Sequence, residues 1–594
     1  MEDSRLHTLD RATSLGLIII AVMQGYALYA LHLAIDHEHW LAADQRWLKA
    51  LYTLTIGLPA FYLISIVQLR GRINLLPLLL APLLFWLGWH LGWVEQMPET
   101  TRQRHQFTFA FCMAAGVALF ILALFFRSGA ANGTWPTAYQ PLLGYSWEHA
   151  LTLAQLGLFV GVFWALLWLW AALFDAIGLG FFKSLFQEPA FIYPVSWLVI
   201  GLGLVMIRNR FRFIANVRLM CEALIKALLP LVALIILLFF AVLPWTGLQP
   251  IWDTGKAAQM LMALMLTLLL FFNAVFHQPR DKPPYPAWLR GPILLAVVLL
   301  PLGSLLAAWA LWLRIDQYGL TLDRLWAAVL QILTAAFTFS YSLILLWRRH
   351  TALPSLQRAN LWLALLVAVV LVLINTPLAD MRHWAAQHQV KRLMDGRTTV
   401  DDFDYAYIRF QLGQPGDIAL RALADSEFAE TKPDLTRRIE RVLEQTNRWS
   451  QDAVVDTDSL SEVALQFNVS PDDAVLPESL LALLIEQKSP CLSRIKPCRA
   501  LRIDNEPRFQ WLIEVHHGYQ TLAYTEQNTG WQPTGSLERL GAIQARHTDD
   551  CEKVMPELDL QRIPGPLTIY QSGPCLYSLR PNLEAGRHQL SSPP

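Results

Sequence analysis

Charge is what this chain has least of. Asp, Glu, Lys and Arg make up 16% of its 594 residues, where a soluble domain carries about 25%. The 47 basic and 47 acidic residues cancel, which excludes a nucleic-acid partner held by phosphate neutralisation. Cysteine is also scarce, six in all. The phosphate loop Gly-x-x-x-x-Gly-Lys-Ser/Thr is missing, as are His-Glu-x-x-His and Gly-x-Ser-x-Gly. Support is therefore lacking for an ATP-driven pump, a zincin or an α/β-hydrolase. No catalytic residue, cofactor or metal is expected.

Apolar runs fill the space that charge leaves. Hydrophobic residues reach 54% and mean hydropathy is +0.35. A spanning helix needs about 20 apolar residues. Eleven such stretches occur, near 13–34, 47–67, 75–94, 107–126, 149–177, 190–207, 227–243, 257–276, 292–313, 325–346 and 361–376. The first lacks a small-residue cleavage site and reads as a retained span. Of 23 Trp, 19 precede Pro377, as suits rings that collect at membrane interfaces. The fold class expected is an all-α polytopic membrane domain of about eleven transmembrane helices, then an α+β soluble region. Its divisions are 1–377 for the spans, 378–450 for a helical segment and 451–594 for a strand-rich, disulfide-bearing module.

Lys and Arg favour cytoplasmic loops. Arg208, Arg210, Arg212 and Arg218 follow the sixth span; Arg280, Lys282 and Arg290 follow the eighth; Arg348, Arg349 and Arg358 follow the tenth. These loops agree on a cytoplasmic N-terminus and a periplasmic tail in a bacterial inner membrane, although Arg102 and Arg104 fall on the other side. Cys491, Cys498, Cys551 and Cys575 all lie in the tail, an even number in a compartment where disulfides persist. Four cysteines allow three connectivities. Cys491–Cys498 and Cys551–Cys575 are the expected pairs, because the first closes a short loop and the second staples the segment holding Pro564, Gly565 and Pro566.

In the tail, Leu435, Ile439, Val442 and Leu443 share one face of a helix beginning at Asp434. A further helix spans 478–487. Trp511, Ile513 and Val515 alternate with polar neighbours, the period of a half-buried strand, and turns are expected at His517-Gly518 and Asn528-Thr529-Gly530.

Three segments together carry a resemblance: WALLWLWAALFDAIGLGFFKSLF at Trp164–Phe186, RIDQYGLTLDR at Arg314–Arg324 and FDYAYIRFQLGQPGDIAL at Phe403–Leu420. The chain from about 142 to 420 resembles a bacterial inner-membrane family known as a domain of unknown function, DUF4153. That resemblance implies a multi-pass membrane protein and no particular activity. Arg499–Val515 is fainter, similar to the strand–acidic turn–strand of propeller repeats. It keeps Asp504 and Asn505 but too few oxygens for calcium, so a plain hairpin is expected.

Four candidate features remain. Asp175 is a possible intramembrane polar site, although the Gly-Leu-Gly sequence after it favours a helix-capping role. Arg208, Arg210 and Arg212 alternate with aromatics and are possible lipid head-group contacts, beside their plain role in topology. His32, Asp36, His37, Glu38 and His39 hold metal-type donors, but without the two histidines four apart that a zinc helix wants. Gln24, His90, Gln155, Asn273, Gln331 and Asn375 read as scattered, unpaired polar groups within spans. The partners expected are membrane lipids and a periplasmic or cell-wall component. The function expected is a non-catalytic envelope protein presenting a partner-binding module. The alternative is a transporter or lipid-handling protein with a cavity among the spans, for which eleven helices are more than an anchor needs.

Overall fold

Short polar side chains begin the first two spanning helices. In the computed structural model Asp10 Oδ1 accepts from Thr13 N at 3.1 Å and Asp44 Oδ1 from Arg46 N at 2.9 Å, each satisfying an amide that a helix start leaves open. Among the described residues, eleven helices are long and apolar enough to cross a membrane. They are α1 Arg11–Asp36, α2 Gln45–Ser65, α3 Ile73–Val94, α4 Thr108–Ala130, α5 Tyr139–Ala176 and α6 Pro189–Arg208. The rest are α7 Asn216–Thr246, α8 Ala257–Val275, α9 Ala287–Tyr318, α10 Leu322–Trp347 and α11 Ala352–Leu373. The chain is a multi-pass membrane protein. Residues described are 9–37, 39–66, 68, 72–96, 108–132, 138–209, 211–249, 252, 254–276, 284–348, 351–445, 467–471, 474–486, 498–502, 511–516, 520–527, 530–542, 561–563, 569–572 and 575–581.

Hydropathy finds the cores of the spans better than their ends. At 38 residues α5 is about 57 Å long, well beyond the ~30 Å hydrocarbon layer, so it must tilt or protrude. It begins at Tyr139 because the more polar segment up to His149 continues the same helix. For the same reason α11 starts at Ala352, ahead of its apolar run.

Contacts between helix ends show that α1 and α6 run in opposite directions. Leu9 N, before α1, donates to Asn209 Oδ1, after α6, at 3.0 Å. At the other end of the same two helices, the His32 and Tyr193 rings lie 5.4 Å apart. The bundle thus has an Arg208 end and an opposite end, where the chain emerges after α11.

The chain forms two units, Met1–Glu444 and Gln445–Pro594. The helical segment after Pro377, read from sequence as a division of its own, belongs to the first. Its helices are α12 Met381–Met394, α13 Gln414–Ala424 and α14 Pro433–Glu444. Leu393, Leu420, Leu435, Ile439 and Val442 share one core with Leu325 of α10 and Ile374 after α11. That merger follows from α14's apolar stripe, which has nothing else to cover it.

Among its described residues the second unit carries helix α15 Glu478–Glu486 and eight strands: β1 Phe467–Ser470, β2 Cys498–Arg502, β3 Trp511–His516, β4 Gln520–Gln527, β5 Gly530–Ala542, β6 Gln561–Ile563, β7 Ile569–Ser572 and β8 Cys575–Pro581. They make one sheet in the order β1-β2-β3-β4-β5-β8-β7-β6. Among the described residues, only β1 and β2 pair in parallel. The expected β2–β3 hairpin is present, with Ala500 opposite Ile513; its connection, including Asp504 and Asn505, lies outside the described residues. The turns expected at His517-Gly518 and Asn528-Thr529 also lie outside them, but β3–β4 and β4–β5 pair antiparallel as those turns require. Trp511 and Ile513 are buried as their alternation predicts; Leu512, on the other face, is buried as well. Trp531 Nε1 donates to Ser479 Oγ at 2.9 Å, tying α15 to β5.

Candidate functional site

Two glycines four residues apart create a charged interior at one end of the bundle. A Cβ on Gly92 would lie 2.3 Å from the Gln45 carbonyl, and one on Gly88 2.6 Å from the Lys49 carbonyl. Small residues at this spacing let spanning helices touch backbone to backbone, so α3 lies directly on α2. That approach brings Lys49 of α2 to Glu95, just past α3. Lys49 Nζ lies 2.7 Å from Glu95 Oε2 and donates to Thr108 Oγ1 at 3.0 Å, and the Thr108 hydroxyl donates to Glu95 Oε1 at 2.9 Å. The triangle fastens the starts of α2 and α4 to the end of α3.

His90, one turn earlier on α3, faces the segment that follows α11. There Asp380 caps α12: its Oδ1 accepts from Arg382 N at 2.9 Å, and its Oδ2 lies 3.4 Å from His90 Nε2. Arg382 Nη1 stands 3.7 Å from Asp380 Oδ1. All of these side chains are buried, with Asp380 only 4% and His90 5% exposed. Burial alone would raise the Asp380 carboxyl, yet the His90 hydrogen bond, the Arg382 charge and the Arg382 amide together hold it below its ordinary value. Burial drives Arg382 the other way, down from the ordinary guanidinium value, partly offset by Asp380 and Glu95. Two cations, Lys49 and Arg382, thus meet two anions, Glu95 and Asp380, around one imidazole. Charge is balanced while His90 is neutral.

Beside this cluster the segment of helices α12 to α14, which forms a cap on this end of the bundle, is clasped to the end of α9 and the loop between α9 and α10. Arg392 donates to the Asp316 carbonyl at 2.8 Å and the Gln317 carbonyl at 3.1 Å. Gln389 Nε2 donates to the Leu320 carbonyl at 2.8 Å, and Leu320 N donates to His388 Nδ1 at 3.2 Å. Leu322 N donates to Tyr407 Oη at 2.7 Å. Gly319, between them, has φ +77° and ψ 176°, a conformation almost confined to glycine. Two of the three segments that carry the family resemblance, 314–324 and 403–420, therefore meet in space. Arg409, 1% exposed, pairs with Asp417 and donates to the Leu443 carbonyl at 3.0 Å, holding the cap helices to one another.

The residues singled out from sequence fall elsewhere. Asp175 ends α5 and meets Lys183 of the short helix Phe181–Gln187 at 2.8 Å, both side chains well exposed. Its carbonyl accepts from Gly178 N at 3.0 Å, and Gly178 has φ +87°, so backbone closes the turn while the carboxylate bridges to Lys183. Arg208 is buried, and donates to the Leu63 carbonyl at 3.0 Å and the Ile66 carbonyl at 2.6 Å. Arg210 and the side chain of Arg212 lie outside the described residues. His32 pairs with Asp36 at 3.2 Å, and no group of three metal-type ligands occurs among the described residues. Cys112 and Cys221 are free thiols; Cys498 is buried in the second unit's core, and Cys491 and Cys551 are outside the described residues.

The reading of the intramembrane polar groups as unpaired is corrected for His90, Asn273, Gln331 and Gln24, whereas Asn375 bonds only the Leu371 carbonyl of the helix before it and Gln155 Nε2 makes no hydrogen bond among the described residues. His90 meets Asp380. Asn273 shares a network with Tyr341 and Asn360, in which Asn360 Nδ2 donates to Asn273 Oδ1 at 2.9 Å and Tyr341 Oη lies 2.5 Å from both amide oxygens. Gln331 donates to Ser304 Oγ at 2.8 Å and Gln24 to the Ile56 carbonyl at 3.3 Å. A polar group in a low-dielectric bundle must find a partner on a neighbouring helix, and a one-dimensional reading does not show which helices are neighbours. Glu95, Lys49, Asp380 and Arg382 went unnoticed because charges at span ends are ordinary; the Gly88–Gly92 spacing was the available signal.

No curated protein and no solved structure matches the chain. A family model does, over residues 68–423, a range that holds α3 to α11 together with the clasp and ends within α13, and on that match the chain belongs to the family described as a domain of unknown function, DUF4153.

Proposed function

We propose that this is a non-catalytic protein of a bacterial inner membrane that presents its C-terminal module, residues 445–594, to a partner in the periplasm or cell wall. The observation that carries the reading is where buried charge sits. Among the described residues, every buried Asp, Glu, Lys or Arg of the spanning bundle lies at one end or the other: Glu95, Asp380 and Arg382 at one, Arg127 and Arg208 at the opposite. Ion-coupled transport calls for ionisable groups along a path through the membrane, whereas among the described residues the polar groups Gln24, Asn273 and Gln331 between the two ends are uncharged and bonded across helices. The clasp supports the same reading, because it fixes the segment from which the module continues. Loop charge supports a periplasmic location for the module. The burial of Cys498 beside Trp511 in its core supports a Cys491–Cys498 staple, and Cys498 is not among the free thiols.

The test compares truncation after Glu444 with deletion of the whole gene, and adds proteoliposomes of the full chain. The expected result is that truncation reproduces the full deletion phenotype while the proteoliposomes take up no ion or small solute above empty vesicles. Uptake that survives truncation overturns the reading in favour of a transporter.

A further inference from the structure

The charged cluster at the Arg208 end differs from the one around His90 in being unbalanced. Arg127 donates from Nη2 to Glu148 Oε1 at 2.7 Å and from Nη1 to His149 Nε2 at 3.0 Å. A guanidinium only donates, so Nε2 accepts and the ring proton of His149 sits on Nδ1. Arg208 gives its terminal nitrogens to the Leu63 and Ile66 carbonyls, which satisfy hydrogen bonds without neutralising charge. Arg127, Glu148 and Arg208 lie within electrostatic range of one another. Among the described residues, two guanidinium charges therefore face one carboxylate where Arg127 is 8%, Arg208 9% and His149 2% exposed. Arg218 adds nothing to the excess, being matched by Glu222 at 2.7 Å.

Two donors in this cluster are also unused. Among the described residues, Arg127 Nε and His149 Nδ1 are buried and make no hydrogen bond. Buried donors nearly always find an acceptor, and an uncompensated buried charge is costly. Excess positive charge beside two idle donors calls for an anion with several acceptor oxygens. Phosphate has that chemistry, and arginine suits it better than any other side chain. Basic clefts between spanning helices are also where lipid phosphates bind.

We propose that Arg127 and His149, with the charge of Arg208 behind them, form a binding site for a phosphate group, brought by the headgroup of an anionic lipid or as the free anion. The site joins the ends of α4 and α6 to the start of α5, so an occupant would tie together three helices that Glu148 alone does not neutralise. This inference is independent of what the C-terminal module does.

The experiment uses the delipidated full chain in detergent, followed by native mass spectrometry and thermal unfolding. The probes are phosphatidylglycerol, phosphatidylcholine and sodium phosphate. Phosphatidylglycerol is expected to bind in preference to phosphatidylcholine, with Arg127→Gln about tenfold weaker or worse. Glu148→Gln removes the competing carboxylate and is expected to hold or tighten binding. If Arg127→Gln does not fold, His149→Phe and Glu148→Gln still move affinity in opposite directions. Stabilisation by sodium phosphate as strong as that by phosphatidylglycerol assigns the free anion; phosphatidylglycerol alone assigns the headgroup. Equal binding of the two lipids with no effect of phosphate overturns the proposal, as does Glu148→Gln weakening binding as much as Arg127→Gln.

Discussion

His90 Nε2 and Asp380 Oδ2 stand 3.4 Å apart, one inside a spanning helix and the other at the first turn of the cap that follows the last span. The contact makes Asp380 serve two purposes, since its other oxygen holds the α12 amide of Arg382. Conversion of the carboxylate to the acid or the amide therefore disturbs the seam between bundle and cap while leaving the apolar core untouched.

The first prediction follows from the sign of the Asp380 shift. A carboxyl held below its ordinary value of 3.8 contributes stability above that value and loses it as pH falls through the lower, folded value. Thermal unfolding of the detergent-solubilised protein should show a loss of stability below about pH 4 that Asp380→Asn flattens. At pH 7 the same substitution should cost about 3 kcal/mol, the order for breaking a buried pair. An unchanged pH profile in the variant would remove Asp380 from this role.

How much of this was legible in the sequence depends on the range of the interaction. Span number was, because each span is a local run of apolar residues. So were the α14 face and the β2–β3 and β4–β5 hairpins, which depend on neighbours a few residues apart. The pairing of His90 with Asp380, or of Arg392 with the 316–317 carbonyls, joins residues far apart in the chain, and neither partner carries a mark of the other. Arg208 shows the limit most clearly. Its place in a basic loop reads as a headgroup contact, whereas the fold turns it inward onto the end of α2.

Gly319 supplies the second prediction. Its backbone conformation costs a non-glycine residue roughly 1–3 kcal/mol, and an added Cβ would lie 2.8 Å from Arg392 Cδ and from Gln389 Nε2. Gly319→Ala should loosen the clasp, so that α12 amides exchange hydrogen faster while exchange in α8 and α9 stays as it was. Uniform acceleration across the bundle would count against a local clasp.

A third prediction contrasts glycines that look alike in the sequence. Gly92→Ala forces a Cβ against the backbone of Gln45 and Arg46, and should lower stability by 1–3 kcal/mol, about the cost of overpacking, while separating Lys49 from Glu95. Gly157 and Gly161 of α5 are also four apart, but nothing lies within 4 Å of an added Cβ at either. Gly157→Ala and Gly161→Ala should be neutral or stabilising by up to about 1 kcal/mol, the helix-propensity difference. Thermal unfolding of the three variants side by side settles the contrast; a destabilised Gly157→Ala would reveal a packing partner for that face.

The fourth prediction concerns which side each end of the bundle faces. The loop charges support a cytoplasmic location for the Arg208 end. A phosphatase fused after Trp449 should then be active and a fluorescent reporter that folds only in the cytoplasm dark at the same site. The reverse pattern would place the module in a reducing compartment and make persistent disulfides there unexpected.

The last prediction is the pair of bridges within the module. Cys498 opens β2 and is 1% exposed, with the short helix-to-strand connection that holds Cys491 immediately before it. Cys575 opens β8, where it lies opposite Ala542 of β5, and Cys551 falls in the connection between β5 and β6. Cys491–Cys498 would fix the entry to β2, and Cys551–Cys575 would staple that β5–β6 connection to the strand that separates β5 from β7 in the sheet. Each bridge should contribute roughly 2–4 kcal/mol by restricting the unfolded chain, the longer loop more than the shorter. Peptide mapping without reductant should recover these two pairs, and a reductant should lower the unfolding temperature of the module while leaving that of the bundle in place. A Cys498–Cys551 link, or four free thiols, would show that the strands order without these staples.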